Sequence, residues 1–112
     1  MKSRQLQDLV AFNPESLSRQ IVFEQGKLSS ELLCFDRNQS FGPVTDPSSD
    51  AMFTVVAGEA VFVVDRKRKR LGQWGTVLVS AGSEVMVRRA SADPLVVLLV
   101  MTPPPSGPGA TE

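Results

Sequence analysis

The chain contains no histidine and a single cysteine, Cys34. Without imidazoles or a pair of thiolates there can be no His-based triad, zinc ribbon or disulfide framework. Net charge is missing too: 12 basic and 12 acidic side chains cancel over 112 residues, which argues against a protein built wholly around nucleic acid. Long apolar runs are also lacking, since the longest, Leu95 to Met101, has only the length of a buried strand. Lys2 and Arg4 stand near the start, but Asp8, Asn13 and Glu15 interrupt any apolar stretch behind them. An export signal is therefore not expected. A lone cysteine without such a signal fits a reducing compartment, so the expectation is a cytoplasmic protein with no membrane partner.

What is present is enough for one core. Hydrophobic residues make up 42% of the chain and charged residues 21%, so a chain of this size can bury about two-thirds of its unfolded surface. Glycine, proline and serine recur at short intervals and leave short runs rich in valine, leucine and phenylalanine, the spacing of an all-β domain. Eight strands are predicted: Gln20 to Glu24, Glu31 to Asp36, Met52 to Ala57, Ala60 to Val64, Arg68 to Leu71, Thr76 to Val79, Glu84 to Arg89 and Leu95 to Thr102. Turn chemistry separates them at Gly58, at Asp65 to Lys67, at Gly72 to Gly75, at Gly82 and at Asp93-Pro94. Only Ser3 to Phe12 hints at helical periodicity, with Leu6, Leu9 and Val10 on one face before Asn13-Pro14. The predicted organisation is an N-terminal extension (1–14), a β-barrel domain (15–102) and a flexible Pro/Gly-rich tail (103–112), since that tail holds four of the eight prolines.

Charge is unevenly spread. Residues 1–65 hold nine acids and five bases, whereas 66–112 hold three acids and seven bases. The excess comes from Arg66-Lys67-Arg68-Lys69-Arg70, followed by Arg88-Arg89. The ordinary reading of the run is a solvated edge strand that discourages aggregation. The alternative is an anion-binding edge at Arg66, Lys67, Arg68, Lys69 and Arg70, for phosphates, nucleic acid or an acidic protein. No aromatic residue is interleaved with the run apart from nearby Trp74, which speaks against a single-strand nucleic-acid platform.

Three passages carry a family resemblance. Leu32 to Gly58 looks like a motif in which a glycine, two histidines, a glutamate and a final glycine recur at set spacing; Leu71 to Gly82 looks like a glycine turn, strand and second turn. Leu95 to Pro105 looks like a closing strand with a proline-rich exit. In this order they resemble the small single-domain cupins. The resemblance implies an all-β fold, a jelly-roll-like barrel called the double-stranded β-helix, and commonly a homodimer. The family's metal ligands fall on Val44, Asp46, Ala51 and Val85, while Asn38, Ser80 and Arg89 replace a glycine, a proline and an asparagine. Gly58 and Gly82 are kept.

Three of those four ligand positions cannot coordinate a metal, and divalent transition metals favour nitrogen donors in a fixed geometry. The expectation is therefore no metal, no cofactor and no catalytic residue, with metal-dependent cupin chemistry disfavoured. Metal-free sugar epimerases of this fold use a histidine base, which this chain lacks. Period-two alternation places Phe53 and Val55 beside Ala51, and Val85, Val87 and Arg89 on one face of a later strand. The candidate ligand pocket is thus Val44, Asp46, Ala51, Phe53, Val85, Val87 and Arg89. Asp46 and Arg89 are expected to mark its mouth, and inward movement of Phe53 and Phe62 is expected to leave only a small residual space. Met52, Met86 and Met101 read as core filler, and Cys34 as an inert buried thiol.

The leading functional reading is a metal-free, non-enzymatic homodimeric binding or regulatory module for a small apolar or anionic ligand, with Gln20 to Glu24 extending a sheet or crossing to the partner. Two alternatives stand beside it. One is an atypical enzyme using Asp46, Glu84 or Arg89 on a small organic acid or sugar. The other is a scaffolding subunit that contacts an acidic protein partner through its basic edge.

Overall fold

The structure, a computed structural model, describes residues 1–104. Nine strands follow in chain order: β1 (Ser18–Gln25), β2 (Leu28–Phe35), β3 (Ser40–Thr45), β4 (Asp50–Ala57), β5 (Ala60–Val64), β6 (Lys67–Leu71), β7 (Thr76–Val79), β8 (Glu84–Arg89) and β9 (Leu95–Thr102). They form two antiparallel sheets, one of five strands ordered β1-β2-β9-β4-β7 and one of four ordered β3-β8-β5-β6. The all-β expectation is met, with one strand more than predicted. The extra strand is β3, which escaped notice because Gly42-Pro43 breaks its apolar alternation. The structure accommodates those two residues as an irregularity between the Phe41/Val87 and Val44/Val85 pairs. Helical character around Ser3 to Phe12 reduces to one short 3₁₀ turn, Leu6–Leu9. Most of the predicted tail lies outside the described residues, which reach only its first two prolines.

Alternation along each strand decides what lies between the sheets. Leu33 and Phe35 of β2, Phe53 and Val55 of β4, Phe62 of β5, Val87 of β8 and Val97 of β9 all point into one inner cluster. Phe41, Phe53 and Phe62 meet edge to face, with ring centroids 5.7 and 5.9 Å apart, the arrangement that sets positive ring edges against negative faces. The opposite parity of β2 and β9 is buried as well. Leu32, Cys34 and Val96 form a second cluster with Val22, covered by Leu6 and Leu9 of the N-terminal segment. Burial pushes the Cys34 thiol above its ordinary pKa, and a backbone hydrogen bond with Ala11 offsets part of that shift. A neutral, enclosed thiol is a poor nucleophile.

Methionines correct the expectation in part. Met52 faces the outer side of its sheet and is 43% exposed, whereas Met101 packs against the inner cluster. Gln20 to Glu24, predicted to extend a sheet or cross to a partner, lies within β1 and pairs with β2 of its own chain.

Turns fix the ends of these strands. Asp65 and Arg66, both at positive φ (48° and 73°), form a two-residue link in which Val64 pairs with Lys67. The Asp65 carboxylate accepts a hydrogen bond from the Glu84 amide at 2.9 Å, and this bond, with help from the Ser83 hydroxyl and Lys67, holds its pKa below the usual carboxylate range. The hairpin end is thereby tied to the start of β8.

Gly58, between β4 and β5, has φ +84°, and a Cβ there would lie 2.3 Å from the Pro94 carbonyl oxygen. Gly82 has φ +90° but open space around its missing Cβ. Gly82→Ala should therefore cost only the left-handed backbone penalty, about 1–2 kcal/mol. Gly58→Ala adds a collision with main chain and should cost clearly more. Denaturant unfolding of the two variants tests the order; equal losses would contradict the packing described at Gly58.

Candidate functional site

A cavity of about 640 Å³ opens between the sheets at the end where β1 and β3 approach each other, within the size range of small-molecule sites. Its floor and walls are apolar: Phe41, Ala51, Phe53, Val79, Val85 and Leu99, with Leu17, Val44 and Met101 nearer the rim. These residues converge because inward positions of neighbouring strands are paired. Ala51 stands opposite both Met101 and Val79, Phe53 opposite Leu99, and Val44 opposite Val85. The space is larger than the small residue expected from sequence. Phe53 borders it and Phe62 lies deeper in the core, so the ring stack closes one end of the interior and leaves the other open.

The rim is polar and stitched together. Asp46 Oδ1 accepts from the backbone amides of Ser48 and Ser49 at 2.9 and 3.0 Å, and the Asp46 carbonyl accepts from the Gly82 amide at 2.8 Å. Such a side-chain-to-backbone turn is a common use of aspartate. The Ser49 hydroxyl donates to the Pro103 carbonyl at 2.6 Å, tying the loop to the end of β9. Gly42 carries the rim past β8: its φ is +83°, and a Cβ would fall 2.4 Å from the Val85 carbonyl oxygen.

Among the described residues the one cation on the lining is Arg19 of β1. Its Nε and Nη2 donate to the two carboxylate oxygens of Glu31 at 2.7 and 3.0 Å, and its guanidinium carbon lies 5.2 Å from the centre of the Phe41 ring. A fork-to-fork pair and a stacked face hold the group in place. Among the described residues Nη1 has no hydrogen-bond partner. Sequence reading missed Arg19 because its predicted strand began at Gln20. Extending that strand by its own alternation would have turned Arg19 inward, since it faces Leu33 across the β1–β2 ladder.

The structure brings five of the seven sequence candidates to this cavity: Val44, Asp46, Ala51, Phe53 and Val85. Val87 is fully buried beneath it. Arg89 is elsewhere. It is four residues along β8 from Val85, about 13 Å in an extended strand, and it donates to the carbonyls of Ser91 and Ala92. The expected Asp46/Arg89 mouth is therefore replaced by Asp46 and Arg19. Alternation gave the correct face for Arg89 but said nothing of height. Glu84 faces away from the cavity, on the side of β8 opposite Val85.

A metal of the kind implied by the fold does not fit this donor set. Among the described residues Asp46 is the only carboxylate on the lining, and it is engaged by its own loop. Among the described residues no three His, Cys, Asp or Glu side chains cluster as ligands. The basic run Arg66 to Arg70 stands apart, on the turn into β6 and on β6 itself, and Arg70 is paired with Glu59. No described helix is long and apolar enough to cross a membrane.

No family model and no curated protein matches the chain. Solved structures do. TT1209 from Thermus thermophilus is 27% identical, with 94% of this chain and 100% of that chain covered at a TM-score of 0.89. A conserved protein with a double-stranded β-helix domain from Klebsiella pneumoniae is 16% identical, with 96% and 94% covered and a TM-score of 0.87. An RmlC-like cupin from Desulfovibrio desulfuricans is 21% identical, with 93% and 98% covered and a TM-score of 0.83. With its two antiparallel sheets and the cavity between them, the chain has the double-stranded β-helix fold seen in cupin structures.

Proposed function

We propose that the protein is a non-enzymatic binding or regulatory module that takes a small, largely apolar molecule into the barrel without a metal ion. The lining of the cavity carries this reading: apolar walls, one carboxylate committed to its loop, and one guanidinium held ready at the rim. Such a site suits a molecule with an apolar body and one acceptor end for Arg19 Nη1. An atypical enzyme would need convergent titratable groups. Of Asp46, Glu84 and Arg89, only Asp46 borders the space. A cytoplasmic setting belongs to the proposal, since the lone buried thiol needs no oxidising compartment.

Thermal-shift screening with small aromatic and aliphatic carboxylates and amides tests the pocket. We expect stabilisation by some of them, and Ala51→Leu, which fills the cavity from its wall, should weaken that binding about tenfold or more while leaving a cooperative melt. Binding that ignores Ala51→Leu, or no binding across the panel, would overturn the assignment. Metal is tested separately: elemental analysis of purified protein should show no stoichiometric manganese, iron, nickel or zinc, and chelators should leave the melting temperature unchanged.

A homodimer is part of the same proposal. On the outer face of the five-stranded sheet Met52 and Leu78 stand directly opposite each other, 43% and 72% exposed. Adjacent large apolar side chains left in water favour a self-complementary contact. Sedimentation at micromolar concentration should give a dimer, and Leu78→Asp a folded monomer. A monomeric parent protein would refute the dimer without touching the pocket assignment.

A further inference from the structure

The four-stranded sheet ends on β6, which among the described residues has no strand on its outer side. Four of its five residues are cations, Lys67 to Arg70. Lys67 and Lys69 stand opposite Val64 and Phe62 and share their inward side, whereas Arg68 and Arg70 stand opposite Val63 and Val61 and share the outward side. Compensation is partial: the Asp65 carboxylate, which also borders a groove beside β6, interacts electrostatically with Lys67. Glu59 pairs with Arg70, and among the described residues Lys67, Arg68 and Lys69 make no ion pair.

Beside the inward pair, a groove of about 410 Å³ opens where the edge of one sheet, β6, faces the edge of the other, β7. Phe62, Val64, Thr76 and Val77 wall it, with Lys67 and Lys69 alongside. It shares no lining residue with the large cavity. Three features therefore coincide: an open main-chain edge, positive charge on both of its sides, and an apolar slot next to it.

Charge on an edge strand repels a second copy of that strand and any other basic segment, which is its usual protective role. For a strand of opposite sign the same charges select instead of exclude. A single-stranded nucleic acid would need exposed aromatic faces along the slot; Phe62 on its lining is buried, and the exposed Trp74 is not among its lining residues. We propose that β6 and its groove form a docking edge for an extended acidic segment of a partner protein. The segment adds to the sheet as a further strand, sets carboxylates against the β6 cations and places small apolar side chains in the slot.

The probe is a short, capped, dye-labelled peptide alternating glutamate with valine, titrated against the whole protein by fluorescence anisotropy at low and moderate salt. Binding at low salt that weakens as salt rises is expected. Arg68→Glu, on an exposed outward position, should reduce affinity about tenfold or more. If Arg68→Glu does not fold, Lys67→Gln combined with Arg68→Gln serves the same purpose. Two further peptides of identical charge carry N-methyl groups on alternate amides, one on each set. The set that faces β6 should lose about tenfold or more, because its main-chain donors are removed. Absence of binding at low salt would return β6 to a solvated protective edge. Equal binding of both methylated peptides, or equally tight binding of oligothymidylate, would show charge attraction without strand addition and would overturn the proposal.

Discussion

The register of β2 against β9, with Leu33 opposite Val97 and Phe35 opposite Leu95, determines which side chains reach the cavity and which are buried behind it. Both strands lie inside their sheet, flanked by β1 and β4. Because side chains alternate with a period of two, a slip of one residue would exchange Leu33 and Phe35 for Leu32 and Cys34. Apolar residues of both parities make these strands tolerable only with a layer on each side. The four-stranded sheet covers one face, and the N-terminal segment with Leu6 and Leu9 covers the other. Full burial of one such side chain contributes roughly 1.5–3 kcal/mol. The outer cover is thus a structural part of the domain, although it contains only one turn of 3₁₀ helix.

The cavity follows from the same alternation applied to shorter strands. Ala51, Val79, Val85 and Val44 are small enough that the interior does not fill, and the Phe41–Phe53–Phe62 chain of rings stops where they begin. At the rim, polar groups are spent on backbone: Asp46 on Ser48 and Ser49, Ser49 on Pro103. Arg19 differs, since its partner Glu31 fixes it without using all of its donors. A preorganised donor beside an apolar space orients a ligand at little further entropic cost.

Much of this was legible in the sequence, and the failures have physical causes. Valine- and leucine-rich runs between glycine and proline turns carried the strand order and the all-β class, and the resemblance of Leu32 to Gly58, Leu71 to Gly82 and Leu95 to Pro105 to the small cupins implied the double-stranded β-helix. The β3 strand was hidden because Gly42-Pro43 interrupts alternation just where the backbone bulges past Val85. Arg89 was assigned to the pocket because period two reports a face and not a distance along the strand; Val87 lies fully buried between it and Val85. Arg19 was invisible because polar residues at the start of an edge strand carry no apolar signal, and its importance lies in Glu31 and Phe41, partners far away in sequence. The volume of the interior was least legible, since it depends on how four small side chains from different strands converge.

The double burial of β2 and β9 also governs how the chain must assemble. Their pairing closes a loop from Phe35 to Leu95 that contains β3 through β8, so the pair that anchors the domain joins segments far apart along the chain. Loop closure of that length delays the reward of burial, and folds dominated by such pairings form slowly. The N-terminal segment can find its apolar seat only after Leu32, Cys34 and Val96 have been brought side by side. Although it precedes every strand along the chain, its seat is complete only once β9, the last of them, has paired with β2.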